Sequence, residues 1–316
     1  MSKHKNKLAK PSISSNGTKT KSVDTVSNGH SGMALRVQKT YKLYIGGKFP
    51  RTESGRYYKL EDKKGELLAN ICQGSRKDFR GAVVAARGAQ SGWAARTAYN
   101  RGQIIYRIAE IMEARRAQFV DELVIMGYKQ QVAEAEVTAS IDRVVYYAGW
   151  ADKYQQVFSS VNPVASSHFN FTVLEPTGVV SIYAPSETGL IGLISVIMPV
   201  IVGGCTCIVL ASKDYPISAI SFAEVLHTSD VPGGVINILT GDRAELLTHF
   251  STHKDVNAMV YSGNNKKDIT AIQANSIENL KRIVVYRDAD WMETNIQGPY
   301  RISDVQEVKT TWHPVN

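Results

Sequence analysis

The chain has 316 residues, 43% hydrophobic and 21% charged, with a net charge of +8. Those proportions suit a globular chain of one to three domains, and no apolar run approaches the roughly 18 residues of a membrane helix, so a soluble, non-membrane protein is expected. Six lysines (Lys3, Lys5, Lys7, Lys10, Lys19, Lys21) against Asp24 put +5 of the charge in residues 1–35, leaving +3 for the rest, so nucleic acid is a disfavoured partner.

Residues 1–38 carry Lys, Ser, Thr, Asn and Gly with almost nothing to bury. A disordered basic tail is expected there, without the apolar stretch of a secretory signal. Order is expected from "KTYKLYIGGKFP" (39–50), a strand broken by the hairpin signal Gly46-Gly47, with a second strand in "ELLANICQG". From Asp78 to Tyr154 the period becomes helical: Phe79, Val83 and Ala86 share a stripe, and Ile104, Ile108, Ile111 and Met112 repeat along one helix spanning "RGQIIYRIAEIMEARRAQFVDELVIMG". A third helix holds Glu134 and Glu136, which fall on different faces and make no catalytic pair. Tyr146, Tyr147, Trp150 and Tyr154 follow at helical spacing and read as packing or a subunit contact. Residues 155–175 read as a hairpin, with runs at Val157–Val161 and Phe169–Leu174 around "NPVASS".

From Gly178 five short apolar runs alternate with segments of helical length: "GVVSIYA", "CTCIVLAS", "GVINILTG", "NAMVYSG" and "KRIVVY". That rhythm predicts βαβ units and a five-stranded parallel sheet covered on both faces. It stops after Tyr286, and "VQEVKTTW" alternates like one more strand. The odd, low cysteine count (Cys72, Cys205, Cys207) argues for a reducing cytoplasm, with Cys205 and Cys207 as core positions.

On "LEPTGVVSIYAPSETGLIGL", "VPGGVINILTGD", "DVNAMVYSG", "ENLKR" and the N-terminal "YKLYIGGKF", the chain resembles the aldehyde dehydrogenase superfamily, over about 40–286 and again 303–312. The resemblance implies an α/β fold: a Rossmann-like sheet over 176–290, an N-terminal helical layer over 39–154, and oligomerisation strands at 155–175 and 303–312. It further implies that "VQEVKTTW" pairs with the hairpin of a neighbouring subunit.

At the chemical positions the chain departs from the pattern. Glu187 stands where the family's oxyanion-holding Asn belongs, and an ionised carboxylate repels a developing oxyanion. Val209–Ser212 replaces the Lys–Pro that holds the adenosine ribose. Lys213 comes two or three positions late, and loss of a charged hydrogen bond costs about 1.5–3 kcal/mol. Tyr286, with a pKa near ~10, replaces the general-base Glu. Only sixteen residues, 287–302, occupy the place of the family's second α/β domain, and no cysteine follows Cys207, so the catalytic domain is expected to be absent. Without a thiolate the family's thiohemiacetal route is closed.

Pro185, Ser186, Ser262, Gly263, Asn264 and Gly241 are the residues that would line a retained NAD or NADP site, with a glycine after a strand letting backbone N–H groups approach phosphate. Weak or lost cofactor binding is expected. Asp242 reads as a helix N-cap. His249 and His253, four apart, lack a third ligand, so no metal is expected, and Lys266-Lys267 reads as a solvated helix start. The function implied is a non-catalytic subunit that oligomerises with itself or with a full-length aldehyde dehydrogenase. The alternative is an oxidoreductase component that completes its site with a partner chain.

Overall fold

A computed structural model describes residues 39–315; the expected disordered tail lies outside the described residues. β1 (Thr40–Tyr41), β2 (Tyr57–Glu61) and β3 (Leu67–Cys72) form a small sheet in the order β1-β3-β2. Between β1 and β2 the chain turns at Gly46-Gly47, where the Leu43 N–H reaches the Pro50 carbonyl at 3.1 Å. Gly47 sits at φ +76°, and a Cβ there would lie 2.9 Å from the Gly233 backbone, so the turn requires glycine.

Four helices follow: α1 (Arg76–Ala94), α2 (Ala98–Ala114), α3 (Arg116–Ile125) and α4 (Gln130–Trp150). Ser75 and Asp78 close α1 with a capping box. The single long helix expected over 101–127 is broken at Arg115. Its φ of −105° ends α2, and its guanidinium bonds Glu224 at 2.6 Å and Gln118 at 2.9 Å. The break is fixed by a partner more than 100 residues away, which periodicity does not register.

The expected hairpin over 155–175 also differs. Val157 lies on a short helix, α5 (Tyr154–Phe158), and the first strand shrinks to β4 (Ser160–Asn162), opposite β5 (His168–Pro176). Gln155 explains the change. Its side-chain amide donates to the Leu174 carbonyl at 2.6 Å and accepts from the Leu174 N–H at 3.3 Å, taking the place of a strand pair.

Next comes the parallel sheet. β6 (Val179–Tyr183), α6 (Ile191–Val202), β7 (Thr206–Leu210), α7 (Pro216–His227), β8 (Ile236–Leu239), α8 (Arg243–Thr252), β9 (Ala258–Ser262), α9 (Lys266–Ser276) and β10 (Arg282–Tyr286) run in sequence. The strand order is β10-β9-β6-β7-β8, all parallel. The sheet's faces follow the period of two. Val180 and Ile182 face α6, α7 and the α2–α4 layer, while Val179 and Tyr183 face α1, α8 and α9. Every residue of β6, β7, β8 and β9 is buried.

After a single-turn helix, α10 (Tyr300–Ser303), the chain ends in β11 (Gln306–Pro314). The strand expected to pair with a neighbouring subunit's hairpin has a partner within the chain. β11 lies antiparallel to β5 of its own chain over nine positions, from Gln306 opposite Pro176 to Pro314 opposite His168. The sheet order is β11-β5-β4, so among the described residues the outer edges of β4 and β11 are unpaired.

Two buried charges hold the domain's seams. Glu136 on α4 is 3% exposed and accepts the N–H groups of Leu190 at 2.7 Å and Ile191 at 3.1 Å. It thus caps α6, whose own N-cap residue, Leu190, has no side chain able to do so. Lys281 donates to the carbonyls of His253 at 2.9 Å and Val256 at 2.6 Å, and burial lowers its pKa from 10.5 to about 8. Between those values the unfolded chain holds more protons at this site than the folded one, so stability rises with pH there; below about 8 both forms are charged and the full penalty applies. The wild-type urea midpoint is therefore expected to climb relative to Lys281→Met as pH rises from 8 towards 10.5. A constant difference between the two contradicts it.

Candidate functional site

In an open parallel sheet, ligands bind beyond the carboxyl ends of the strands, where the strand order switches. Here the switch lies at β6, whose chain neighbour β7 is on one side and β9 on the other. A cavity of about 420 Å³ opens there, lined among others by Glu187, Arg243, Asp268, Tyr286, Asp288 and Trp291.

Of the residues singled out from the sequence, Ser186, Glu187, Gly263, Asn264 and Tyr286 meet at this cavity. Pro185, Ser262 and Gly241 do not line it. Pro185 packs on Gly192, where an added Cβ would fall 2.7 Å from its Cγ. Ser262 is buried inside β9. Gly241 packs on Gly74, where the start of α8 meets the start of α1.

Glu187 is engaged rather than free. The Trp291 Nε1–H donates to its Oε1 at 2.9 Å, and Trp291 itself is only 2% exposed. The carbonyls of Trp291 and Glu293 accept from the buried Arg143 guanidinium at 3.3 and 3.2 Å. The segment after β10 is thereby pinned across the mouth of the crevice. Tyr286 donates to Asp304 at 2.9 Å, and the Arg301 guanidinium lies 3.9 Å over its ring. Burial drives the Tyr286 pKa upward, the Asp304 carboxylate adds to this, and Arg301 opposes it. The phenol therefore stays protonated at neutral pH and is no general base.

The helix ends beside the crevice are satisfied from within. At α6, the N–H of Gly189 bonds the Tyr128 hydroxyl, those of Leu190 and Ile191 bond Glu136, and that of Gly192 bonds Thr188. At α9, the Asn265 side chain takes the N–H groups of Lys267 and Asp268 at 3.0 and 3.4 Å. Asp268 also accepts the Tyr261 hydroxyl, and Asp288 accepts the Asn264 amide at 2.7 Å. Three carboxylates (Glu187, Asp268, Asp288) thus line the cavity against one guanidinium, Arg243, whose Nη2 bonds the Ala184 carbonyl.

Lys213 is not in the lining. Its ammonium pairs with Asp242 at 2.9 Å, and Asp242 caps α8 through the N–H groups of Ala244 and Glu245. The three cysteines are free and buried, and burial pushes the thiols of Cys205 and Cys207 up, away from the thiolate a nucleophile needs. No cluster of metal-ligating side chains occurs among the described residues, and none of their helices is long and apolar enough to cross a membrane.

The sequence profile of the aldehyde dehydrogenase family matches residues 49–286. The chain belongs to the aldehyde dehydrogenase family. It is 30% identical over 254 residues to a putative aldehyde dehydrogenase, DhaS, of Bacillus subtilis, covering 77% of this chain and 50% of that one. It is 28% identical to the cytosolic 10-formyltetrahydrofolate dehydrogenase of Mus musculus, over 79% of this chain and 28% of that one. Among solved structures, an NAD⁺ complex of the Bacillus cereus aldehyde dehydrogenase superposes with a TM-score of 0.74 at 25% identity, covering 79% of this chain and 51% of the other. The chain spans about half the length of several curated relatives it matches. The family match ends at Tyr286, the last residue of β10. From there to β11 only nineteen residues, 287–305, intervene. Of the residues that sequence reasoning missed, Trp291, Arg301 and Asp304 lie in this short link, and Arg243 and Asp268 on α8 and α9.

Proposed function

We propose that this chain is a non-catalytic aldehyde dehydrogenase-like subunit that assembles, with itself or with a full-length aldehyde dehydrogenase, in a scaffolding or regulatory role. The observation that carries this reading is the nineteen-residue link between β10 and β11, which leaves no room for a second α/β domain between them while preserving the β11-β5-β4 sheet. The link's own residues, Trp291 and Asp304, engage Glu187 and Tyr286, the positions where the family resemblance would put an oxyanion donor and a base.

Cofactor binding is weak or lost in this reading. The lining does not fit a dinucleotide diphosphate: the N–H donors named above at α6 and α9 are already bonded, three carboxylates face one guanidinium, and Lys213 is committed to Asp242. Like charges in a crevice repel an anionic ligand. A second reading, an NAD(P)-dependent oxidoreductase component that completes its site with a partner, draws on the cavity that persists at the switch point.

Assembly is supported by one face of the β11-β5-β4 sheet. Val161 and Phe169 are 66% and 46% exposed, and with Phe171 and Val173 they share a face, since Phe171 lies opposite both Val161 and Thr311. Sedimentation velocity of the purified chain, alone and mixed with a full-length aldehyde dehydrogenase from the same cell, tests the proposal. Concentration-dependent association in either sample is expected; a strict monomer in both overturns it.

A further inference from the structure

A second cleft lies on the far side of the sheet from the α2–α4 layer, between α1 and α8. It has a volume of about 390 Å³ and is lined by Arg76, Lys77, Phe79, Arg80, His249 and His253, together with Thr252. No carboxylate lines it.

Its charges are arranged against local preference. Arg76 and Lys77 stand in the first turn of α1, with Arg80 one turn on, where the helix dipole favours anions. Lys77 is offset by Glu53 at 2.6 Å. The side chains of Arg76 and Arg80 are exposed and make no hydrogen bond or ion pair among the described residues. Across the cleft, His253 stacks edge-on against Phe79, ring centroids 5.8 Å apart. Its Nδ1 accepts the Asp255 N–H at 3.3 Å, which leaves Nε2–H as the donor. The imidazole of His249, in the last turn of α8, has no hydrogen-bond partner among the described residues. Two guanidinium forks and two imidazoles converging on a cavity of ligand size suit one chemical group.

We propose that this cleft binds the phosphate group of a small phosphorylated molecule, held by Arg76 and Arg80 with His249 and His253 as further donors. The inference is independent of the assembly reading, because neither sheet edge takes part in it.

Affinity should depend on pH. Burial lowers the pKa of both imidazoles; Arg76 adds to this at His249 and Glu245 opposes it, while at His253 Asp255 opposes it and Lys281 and Arg80 add to it. A bound phosphate dianion offsets the cationic neighbours Arg76, Arg80 and Lys281 and attracts the imidazolium, so binding takes up protons and affinity rises as pH falls. The gain ends where the phosphate itself takes up a further proton, near pH ~6 for a phosphate monoester and about one unit higher for inorganic phosphate.

The full-length chain is titrated with inorganic phosphate while the His249 and His253 ring resonances are followed by NMR. Saturable shifts are expected, with both imidazole pKa values raised by phosphate. Arg76→Gln/Arg80→Gln is expected to weaken binding at least about tenfold, with an unchanged melting temperature because both side chains are exposed and the basic tail is untouched. His249→Gln/His253→Gln is expected to keep binding at pH 8 and lose its rise as pH falls from 8 towards about 7. Affinity that is unchanged in the arginine variant, or no saturation by about 10 mM phosphate, overturns the assignment.

Discussion

Glu136→Ala is expected to destabilise the fold by about 3 kcal/mol, and Glu136→Gln by about 1 kcal/mol. The carboxylate sits at the seam between the helical layer and the sheet domain and accepts two N–H groups at the start of α6. α6 is buried along its whole length, so water cannot replace the lost acceptor, and an unsatisfied buried donor bears the full desolvation penalty. Glutamine keeps one acceptor oxygen and loses the charge that complements the helix dipole. Urea unfolding reads the result: a lowered midpoint at unchanged m-value marks a native-state loss. An alanine variant within about 0.5 kcal/mol of wild type would mean that the cap contributes nothing.

Phe169→Asp/Phe171→Asp is expected to weaken association at least about a hundredfold, an effect near 2.7 kcal/mol. The two rings lie 5.6 Å apart on the exposed face of β5, and buried aromatic anchors dominate most interfaces. The opposite face is a polar ladder: the Asn162 amide bonds Asn170 at 2.6 Å and Thr172 at 2.8 Å, and the hydroxyls of Thr172 and Thr310 lie 3.0 Å apart. That ladder ties the strands together within the chain, so the substituted sheet should persist. Sedimentation velocity of the variant gives the shift; a double variant that still associates like wild type excludes this face.

The strands of the parallel sheet are legible in the sequence because β-branched runs such as "CTCIVLAS" and "GVINILTG" are buried on both faces, and such strands carry little but apolar residues. The substituted chemical positions are legible too, since Glu187 and Tyr286 both reach the cavity. The features hidden from sequence reasoning are long-range. Arg115 breaks a helix by reaching Glu224, Gln155 shortens a strand by reaching Leu174, and Glu136 caps a helix 54 residues on. None of these leaves a periodic trace. Trp291 escapes notice because the rhythm of apolar runs ends at Tyr286, and residues 287–305 carry no periodicity of their own. Arg243 stands in the sequence only as the residue after a helix cap, although its guanidinium turns back to Ala184.

The most direct measurement mixes the purified chain with NAD⁺ and a simple aldehyde, follows NADH absorbance, and titrates NADH by fluorescence in parallel. With the nineteen-residue link in place and all three cysteines buried, no turnover above background and no saturation at millimolar cofactor are predicted. Reduction of NAD⁺ at about 1 s⁻¹ or faster, with no other chain present, would contradict the account.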